Sequence, residues 1–346
     1  MEGPSAPPRR VTIIDVAQHA SVSITTVSKV LRNAYGTSPA MRAKVRASIE
    51  ELGFRPSAAA RGMRGRTYTI GLMLPDIRNP FFADILDGIT EGLRETDYQL
   101  LHASSCNDEV AEARVTDALI DRSMDGVILI APLSARSHLE QVASTVPTVV
   151  VGRHGHSGTY DTVADDDFTG AALIVDHLAD LGHRRIAHIE HLETDPVRLR
   201  EMPNALRADG YQQAMRARGL ADEIDIASTT YTQEGGYLGA RELLARQDRP
   251  TAIFAGADIV AMGVLEALAE AGLSVPGDIS VAGYDNTTFA AFTPISLTTV
   301  DQAGGQIGAN AARLLLDRIA DRRRPTAQIK LSPTLVARRT TAPPPR

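Results

Sequence analysis

The chain has no tryptophan, one cysteine, three lysines and only 4% aromatic residues. The lone Cys106 can form neither an internal disulfide nor a cysteine-based metal set. No run of about 18 apolar residues occurs, so nothing reads as a membrane-spanning helix and no membrane partner is expected. The opening MEGPSAPPRR has no apolar stretch behind its basic pair. It reads as a disordered leader, residues 1–10, rather than a secretory signal, and a cytoplasmic protein is expected. Enzyme signatures are also missing. There is no GxxxxGK[ST] phosphate loop and no GxSxG elbow, and Gly235-Gly236 and Gly304-Gly305 lack a dinucleotide fingerprint around them. His154-Gly-His156 and His188-x-x-His191 are the histidine pairs worth testing for metal. The first falls in a loop and the second has the odd spacing that strand alternation separates, so neither a metal nor a cofactor is expected.

What is present is a strong asymmetry of charge. Residues 1–66 carry eleven Lys/Arg against four Asp/Glu, a balance of +7; with −6 overall, the remainder carries −13. A basic head on an acidic body suggests a polyanion partner for the head, although a basic disordered tail has the same charge. The head, however, is patterned like a folded unit. Thr12 followed by Asp15 is a helix-start signature, with Val16, Ala17 and Ala20 on one apolar face. Ser21-Val22-Ser23 breaks that helix, and Ser23 can cap a second, Ile24 to Leu31, with Val27, Val30 and Leu31 inward. Ser38-Pro39 starts a third, with Val45, Ile49 and Leu52 inward and Gly53 at its end. The short turn between the first two fits a helix-turn-helix, whose second helix enters the major groove by its N-terminal end. Its outward positions are Ile24, Thr25, Thr26, Ser28 and Lys29, with Arg32 and Asn33 following. A three-helix protein-interaction module is the alternative. Beyond Pro56, Ser57 to Gly65 favours helix through its alanines, but Gly62 and Gly65 each cost about 1 kcal/mol there. So short a helix is marginal alone, and either folds on DNA or serves as a linker.

From Tyr68 onward, short apolar runs alternate with amphipathic segments. The strand-like runs are 68–74, 98–103, 126–130, 148–151, 185–189, 252–255 and 279–283. Helical stretches lie at 83–96, 109–122, 169–181, 207–219, 235–246, 260–271 and 303–320. The expected class is α/β, with parallel sheets covered by helices on both faces. Asp165-Asp166-Asp167 cannot all point one way, so at least one should take a polar ligand or cap the helix that follows.

VTIIDVAQHASVSITTVSKVLRN, followed by SPAMRAKVRASIEELGFRPSAAARGMR, resembles the head of the lactose-repressor family of bacterial regulators. The DVA, VS-x-x-TVS and LGF-x-P-x-AAR pieces occur in order. The resemblance continues to about Arg339 through IGLMLPDIRNPFFADILDGI, MDGVILIAP, HLADLGHRRIAHI, PTAIFAGADIVAMGVLEAL and VPGDISVAGYDN. It implies a helix-turn-helix domain at 11–56, a hinge at 57–66 and a two-lobed, periplasmic-binding-protein-like domain at 67–339. Lobe 1 is placed at about 67–164 plus 294–325, lobe 2 at 165–293 plus 326–339, and a disordered tail at 340–346.

The same resemblance implies operator contacts from Thr12, Ser23, Ile24, Thr25, Thr26, Ser28, Lys29, Arg32 and Asn33. In the hinge it implies contacts from Ser57, Arg61 and Met63, with Met63 as an apolar wedge in the minor groove. Between the lobes it implies a small-molecule effector, a sugar or sugar derivative. Phe82 and Tyr231 would be aromatic walls and Arg207 and Asp285 a polar clamp for hydroxyls, with Asp84, Arg153, Asp165, Asp258 and Gln302 as further contacts. Ala257 stands where many relatives have asparagine. Arg198 and Arg200 introduce the option of an acidic ligand. The function implied is a homodimeric, effector-controlled repressor bound to double-stranded operator DNA. A solute-binding receptor fits the large domain but not the basic head, and an enzyme would need a catalytic constellation that is not evident.

Overall fold

The computed structural model describes residues 11–31, 34–54, 66–192, 195 and 201–345. They fall into two compact units, Met1–Thr67 and Tyr68–Arg346.

The first unit is three helices, α1 (Ile13–His19), α2 (Ile24–Leu31) and α3 (Pro39–Glu51). Each starts where a side chain can satisfy a free backbone N–H. Thr12 and Asp15 form a reciprocal box: Asp15 N–H donates to Thr12 Oγ1 (3.4 Å) and Thr12 N–H to Asp15 Oδ2 (2.7 Å). Ser23 Oγ accepts from Thr26 N–H (3.1 Å), and Ser38 Oγ from Met41 N–H (3.3 Å) ahead of Pro39. Gly53, at φ +60°, ends the third helix in the left-handed conformation that glycine adopts without a Cβ clash. Val16, Ala17, Ala20, Val27, Val30, Val45 and Phe54 form the core, with Leu31, Ile49 and Leu52 half-buried against it.

The second unit has two parallel sheets. In lobe 1 these are β1 (Thr69–Leu74), β2 (Gln99–Ser104), β3 (Gly126–Ile130), β4 (Thr148–Val151), β5 (Asp161–Asp165) and β11 (Gln328–Leu331), in the order β11-β5-β4-β3-β1-β2. Lobe 2 has β6 (Ile186–His191), β7 (Asp225–Thr229), β8 (Ala252–Ala255) and β9 (Ser280–Ala282), in the order β7-β6-β8-β9. Both orders reverse beside their first strand, and the C-terminal strand ends at such a switch point make a ligand crevice. Lobe 1 carries helices α4 (Pro80–Leu93), α5 (Glu109–Asp121), α6 (Arg136–Thr145) and α12 (Gly304–Ala320). Lobe 2 carries α7 (Asp167–Asp180), α8 (Pro203–Ala217), α9 (Gln233–Leu244), α10 (Asp258–Glu270) and the short α11 (Thr288–Ala291).

Two helix pairs meet backbone to backbone. A Cβ on Gly88 of α4 would lie 2.1 Å from the carbonyl oxygen of Gly305 at the start of α12, and one on Gly236 of α9 would lie 2.0 Å from that of Val260 in α10. Arg318 of α12 is buried and donates to both oxygens of Asp161 (2.6 and 2.9 Å), tying the helix to β5.

The chain crosses between lobes at places that differ from the sequence expectation. β10 (Thr299–Asp301) pairs antiparallel with β12 (Thr334–Val336), and Ala282 and Asp285 bridge to Thr298 and Asp301, so 294–301 goes with lobe 2. β11 pairs with β5, so 328–331 belongs to lobe 1. The crossings therefore lie near 166, 302 and 332. Nor are residues 340–345 a loose tail. Thr340 is buried, its carbonyl accepts from Val281 N–H (2.8 Å) and its Oγ1 from Thr298 N–H (2.8 Å). The carbonyl of Ala342 accepts from the Ser280 hydroxyl (3.1 Å) and lies 2.8 Å from His183 Nε2.

Candidate functional site

The first unit offers the N-terminal half of α2 as a reading surface. Ile24 is 45% exposed, Thr25 is exposed, and Lys29 is half-buried. An exposed isoleucine at a helix start is a poor choice for stability and a good one for contact with a thymine methyl. Thr12 and Ser23 are occupied as caps, and Thr26 lies 2.9 Å from Ser23 through its hydroxyl. Ser28 departs from expectation: at 9% exposure it lies inward beside Val27 and Val30, not on the outer face. The reason is geometric. At about 100° per residue, Ser28 lies about 60° from the half-buried Leu31 three residues on, at the edge of the inward face. Arg32, Asn33, Ser57, Arg61 and Met63, with the hinge itself, lie outside the described residues.

In the second unit the polar residues between the lobes converge on Arg207 of α8. Its Nε donates to Asp167 Oδ1 (2.6 Å), its Nη1 donates to the Gly256 carbonyl (2.7 Å) and lies 4.0 Å from Asp285 Oδ1, and its guanidinium lies 3.8 Å over the Tyr284 ring. Burial works against that charge, but Asp167 and its neighbours outweigh it and hold Arg207 firmly protonated. Asp167 also meets His154 Nε2 (2.6 Å), which comes from the loop after β4 in lobe 1. Burial alone would raise Asp167; Arg207 and His154 bring it below the ordinary carboxylate range. Its neighbour Asp165 accepts from the Tyr284 hydroxyl (2.8 Å) and is pushed well up, by burial and then by the Asp167 charge. Two carboxylates this close share the burden unequally, one ionised by its arginine and the other driven toward its acid form. Asp166 turns away, accepting from Thr169 N–H (3.2 Å) as the cap of α7 and from Lys330 (2.8 Å).

Asp285 follows β9 at φ +126°, a strained value for a residue with a Cβ. Its Oδ1 accepts from Gln302 Nε2, while its buried Oδ2 has no hydrogen-bond partner among the described residues. Burial pushes its carboxyl well up against the pull of Arg207. The buried Tyr231 hydroxyl likewise has no partner among the described residues, and its ring lies edge-on to His191 at 5.3 Å. A Cβ on residue 256 would lie 2.0 Å from the Tyr231 oxygen, so glycine is required there. Phe82 is half-buried on α4, against the lobe 1 core. Asp84, two residues on, is raised by burial and by the charges of Asp87 and Asp301.

Two expected contacts are engaged within the protein. Asp258 accepts from Thr287 N–H (2.8 Å), Thr287 Oγ1 (3.0 Å) and Thr299 Oγ1 (2.6 Å), and burial pushes it up to about 6 against those bonds. It fixes the loop that carries Asp285. Arg153, at 2% exposure, donates from Nη1 to the Ser134 carbonyl (2.6 Å) and from Nη2 to Glu201 Oε2 (2.6 Å). The second histidine pair has structural partners: His188 lies stacked on Phe254, 4.3 Å away, and is lowered to about 3 by burial, and His191 Nδ1 accepts from Tyr231 N–H (3.2 Å). Arg198 and Arg200 lie outside the described residues.

Sequence reasoning missed Asp167, His154 and Glu201 as members of this constellation. A signal for Asp167 was available: strand alternation puts Asp165 and Asp167 on one side, and a buried Arg207 needs an anion. The pattern as a whole is a rigid donor fork, two orphaned oxygens and an aromatic wall, suited to adjacent hydroxyl groups.

Residues 12–57 match the model of bacterial regulatory proteins of the lacI family, and residues 175–341 that of the periplasmic binding protein-like domain. The ribose operon repressor of Escherichia coli (strain K12) is 35% identical over 332 residues, covering 94% of this chain and 98% of the relative. The lac repressor dimer bound to operator and the anti-inducer ONPF has a TM-score of 0.81 at 25% identity, over 96% of this chain and all of that one. A LacI family regulator from Enterococcus faecium with bound ribose has a TM-score of 0.70 at 30% identity, over 80% of this chain and 99% of that one. Head, two-lobed body and relatives matched over nearly their whole length agree: the chain belongs to the lacI family of bacterial regulatory proteins, as a DNA-binding transcriptional repressor with an effector-binding domain and not an enzyme.

Proposed function

We propose that the effector is a sugar or sugar derivative held by Arg207 and Asp285, with Tyr231 and Phe82 as its walls, and that it sets the affinity of a homodimer for operator DNA. The observation that carries this reading is the pair of orphaned buried oxygens, Asp285 Oδ2 and the Tyr231 hydroxyl, beside an immobilised guanidinium. Buried polar atoms without partners are costly, and ligand hydroxyls are the natural complement to an acceptor and a donor so placed. The Enterococcus faecium regulator, solved with ribose, supports the same chemistry.

On the head, Ile24, Thr25 and Lys29 read an operator half-site, and two heads in a dimer read two halves. Dimerisation is supported by the lac repressor dimer and by the lobe 1 edge. There β2 has one unpaired side, Leu101 is 49% exposed, and a hollow of about 400 Å³ lies between β2 and α4, lined by Leu86, Leu93 and Tyr98. An unpaired strand edge with apolar side chains needs cover. Because Arg207 meets Asp167 at the crossing, and Asp167 in turn meets His154 of lobe 1, a ligand at Arg207 is linked to the relative position of the lobes. Such a ligand controls DNA binding to the extent that it binds one lobe arrangement better.

The test is calorimetric titration of the full chain with ribose and a panel of other free sugars, repeated with Arg207→Met and Asp285→Asn. One sugar should bind, and each variant should weaken it by about 10- to 100-fold, the worth of a hydrogen bond to a charged group. Binding untouched by both changes overturns the assignment.

A further inference from the structure

Glu201 precedes α8 in lobe 2, yet among the described residues its side-chain ion pairs are with lobe 1. Its carboxylate receives Arg153 Nη2 at 2.6 Å on one oxygen and Arg136 on the other. Its carbonyl accepts from His154 N–H (3.0 Å). It also occupies space that exists because residue 155 is glycine: a Cβ there would lie 2.7 Å from Glu201 Cδ. The two arginines are held independently of it, Arg153 by the Ser134 carbonyl (2.6 Å) and Arg136 by the His156 carbonyl (2.9 Å). Together they make a fixed pair of guanidinium donors, the arrangement that binds carboxylate or phosphate. The pair stands beyond the C-terminal ends of β3 and β4, and His154, next to Arg153 in the chain, meets Asp167, which in turn holds Arg207.

Resting on the effector reading above, we infer that Glu201 is a specificity-determining residue: it fills, from within the chain, the anion position made by Arg136 and Arg153, so that the cleft accepts uncharged polyhydroxyl ligands and rejects phosphorylated ones. The engagement of the guanidiniums supports this. Arg207 is paired with Asp167, and Arg136 and Arg153 each place a nitrogen on one oxygen of Glu201, so each of the three already holds a carboxylate, although the two that share Glu201 keep a formal charge of +1 between them. A phosphate ester would have to displace a carboxylate that is covalently part of the protein and therefore present at high effective concentration. Arg153 is 2% exposed and cannot swing out to meet an anion elsewhere.

The experiment is titration of the full chain with inorganic phosphate at constant ionic strength, followed by thermal shift and calorimetry. The native chain should show no saturable phosphate site that depends on Arg136. Glu201→Gln should gain one, at least tenfold tighter than anything in the native chain, and Arg136→Ala in that background should abolish it. Arg136 has 41% of its side chain exposed and tolerates that change. Phosphate binding by the native chain that is lost on Arg136→Ala overturns the inference, as does a folded Glu201→Gln that gains nothing. The native arm does not need Glu201→Gln to fold. Ribose and ribose 5-phosphate on the native chain give a further arm, in which tighter binding of the ester overturns the inference. Failure of every free sugar to bind would instead strike the effector reading, and the phosphate arm keeps the two apart.

Discussion

Asp167→Asn removes one charge and leaves the shape of the side chain. Asp167 is fully buried and has two charged or polar partners, Arg207 at 2.6 Å and His154 at 2.6 Å. With asparagine there, the Arg207 guanidinium remains buried with the Gly256 carbonyl and an Asp285 oxygen 4.0 Å away. Breaking a buried pair by removing one partner costs about 3–5 kcal/mol. Two effects soften this loss. The amide oxygen still accepts one hydrogen bond, and Asp165, held toward its acid form partly by the Asp167 charge, can ionise in its place. The expected cost is therefore at the lower end, about 3 kcal/mol, or a fall in melting temperature of roughly 6–10 °C at neutral pH. The folded-state pKa of Asp167 is depressed, so its contribution is present above the unfolded value of about 3.9 and is lost as pH falls through the folded value. Scanning calorimetry of both proteins from pH 7 to pH 3 should show the full gap at pH 7 and a closing gap below about pH 4. Equal stabilities at pH 7, or a gap that widens with acid, would refute the view that Asp167 is the ionised partner of Arg207.

Three further outcomes follow from the same contacts. Asp258, raised to about 6 by burial, favours folding in its acid form, so its contribution is greatest below the unfolded value and is lost as pH rises through 6. Between pH 4 and 7 the stability of Asp258→Asn relative to the native chain should rise by on the order of 2 kcal/mol, read by urea unfolding at each pH. Gly88→Ala would drive a methyl group into the Gly305 carbonyl, and overpacking of this kind costs about 1–3 kcal/mol, measurable as a lower urea midpoint with an unchanged slope. On operator DNA, Thr25→Ala should weaken binding while Ser28→Ala, at a buried position, should leave it within about twofold once folding is matched; Lys29→Ala should lower the salt slope of binding by about 1 if Lys29 meets phosphate.

The architecture was legible because its strongest signals are local. Thr12, Ser23 and Ser38 announce their helices by chemistry that acts within three residues, and all three caps form. The apolar runs at 126–130, 148–151 and 252–255 are buried on both faces and match observed strands to the residue. Two strands that mix polar residues were not seen in the sequence. Asp161–Asp165 reads as acidic, yet it is fully buried because Arg318 neutralises Asp161 from 157 residues away. Gln328–Leu331 alternates with polar residues on an edge, and only its pairing with β5 makes it a strand. The tail TTAPPPR looks unstructured by composition, but Thr340, Thr341 and Ala342 find partners on lobe 2. The site divides the same way. Arg207, Asp285, Gln302 and Tyr231 were named from their motifs and do converge, whereas His154 and Glu201 become visible only when the lobes are brought together, and Asp167 had only the weak signal of its spacing from Asp165. Asp258 is expected as a ligand contact from the family resemblance; its oxygens are taken by Thr287 and Thr299, 29 and 41 residues on.

The central claim is that a ligand at Arg207 controls DNA binding by this chain. Its most direct test is fluorescence anisotropy of the full chain on DNA flanking its own gene, at fixed salt, with and without each sugar of the panel, for the native protein and Arg207→Met. Binding should be at least about a thousandfold tighter than to unrelated DNA, changed severalfold by one sugar in the native protein and by none in the variant. A sugar response that persists in Arg207→Met, or binding without sequence preference, would contradict it.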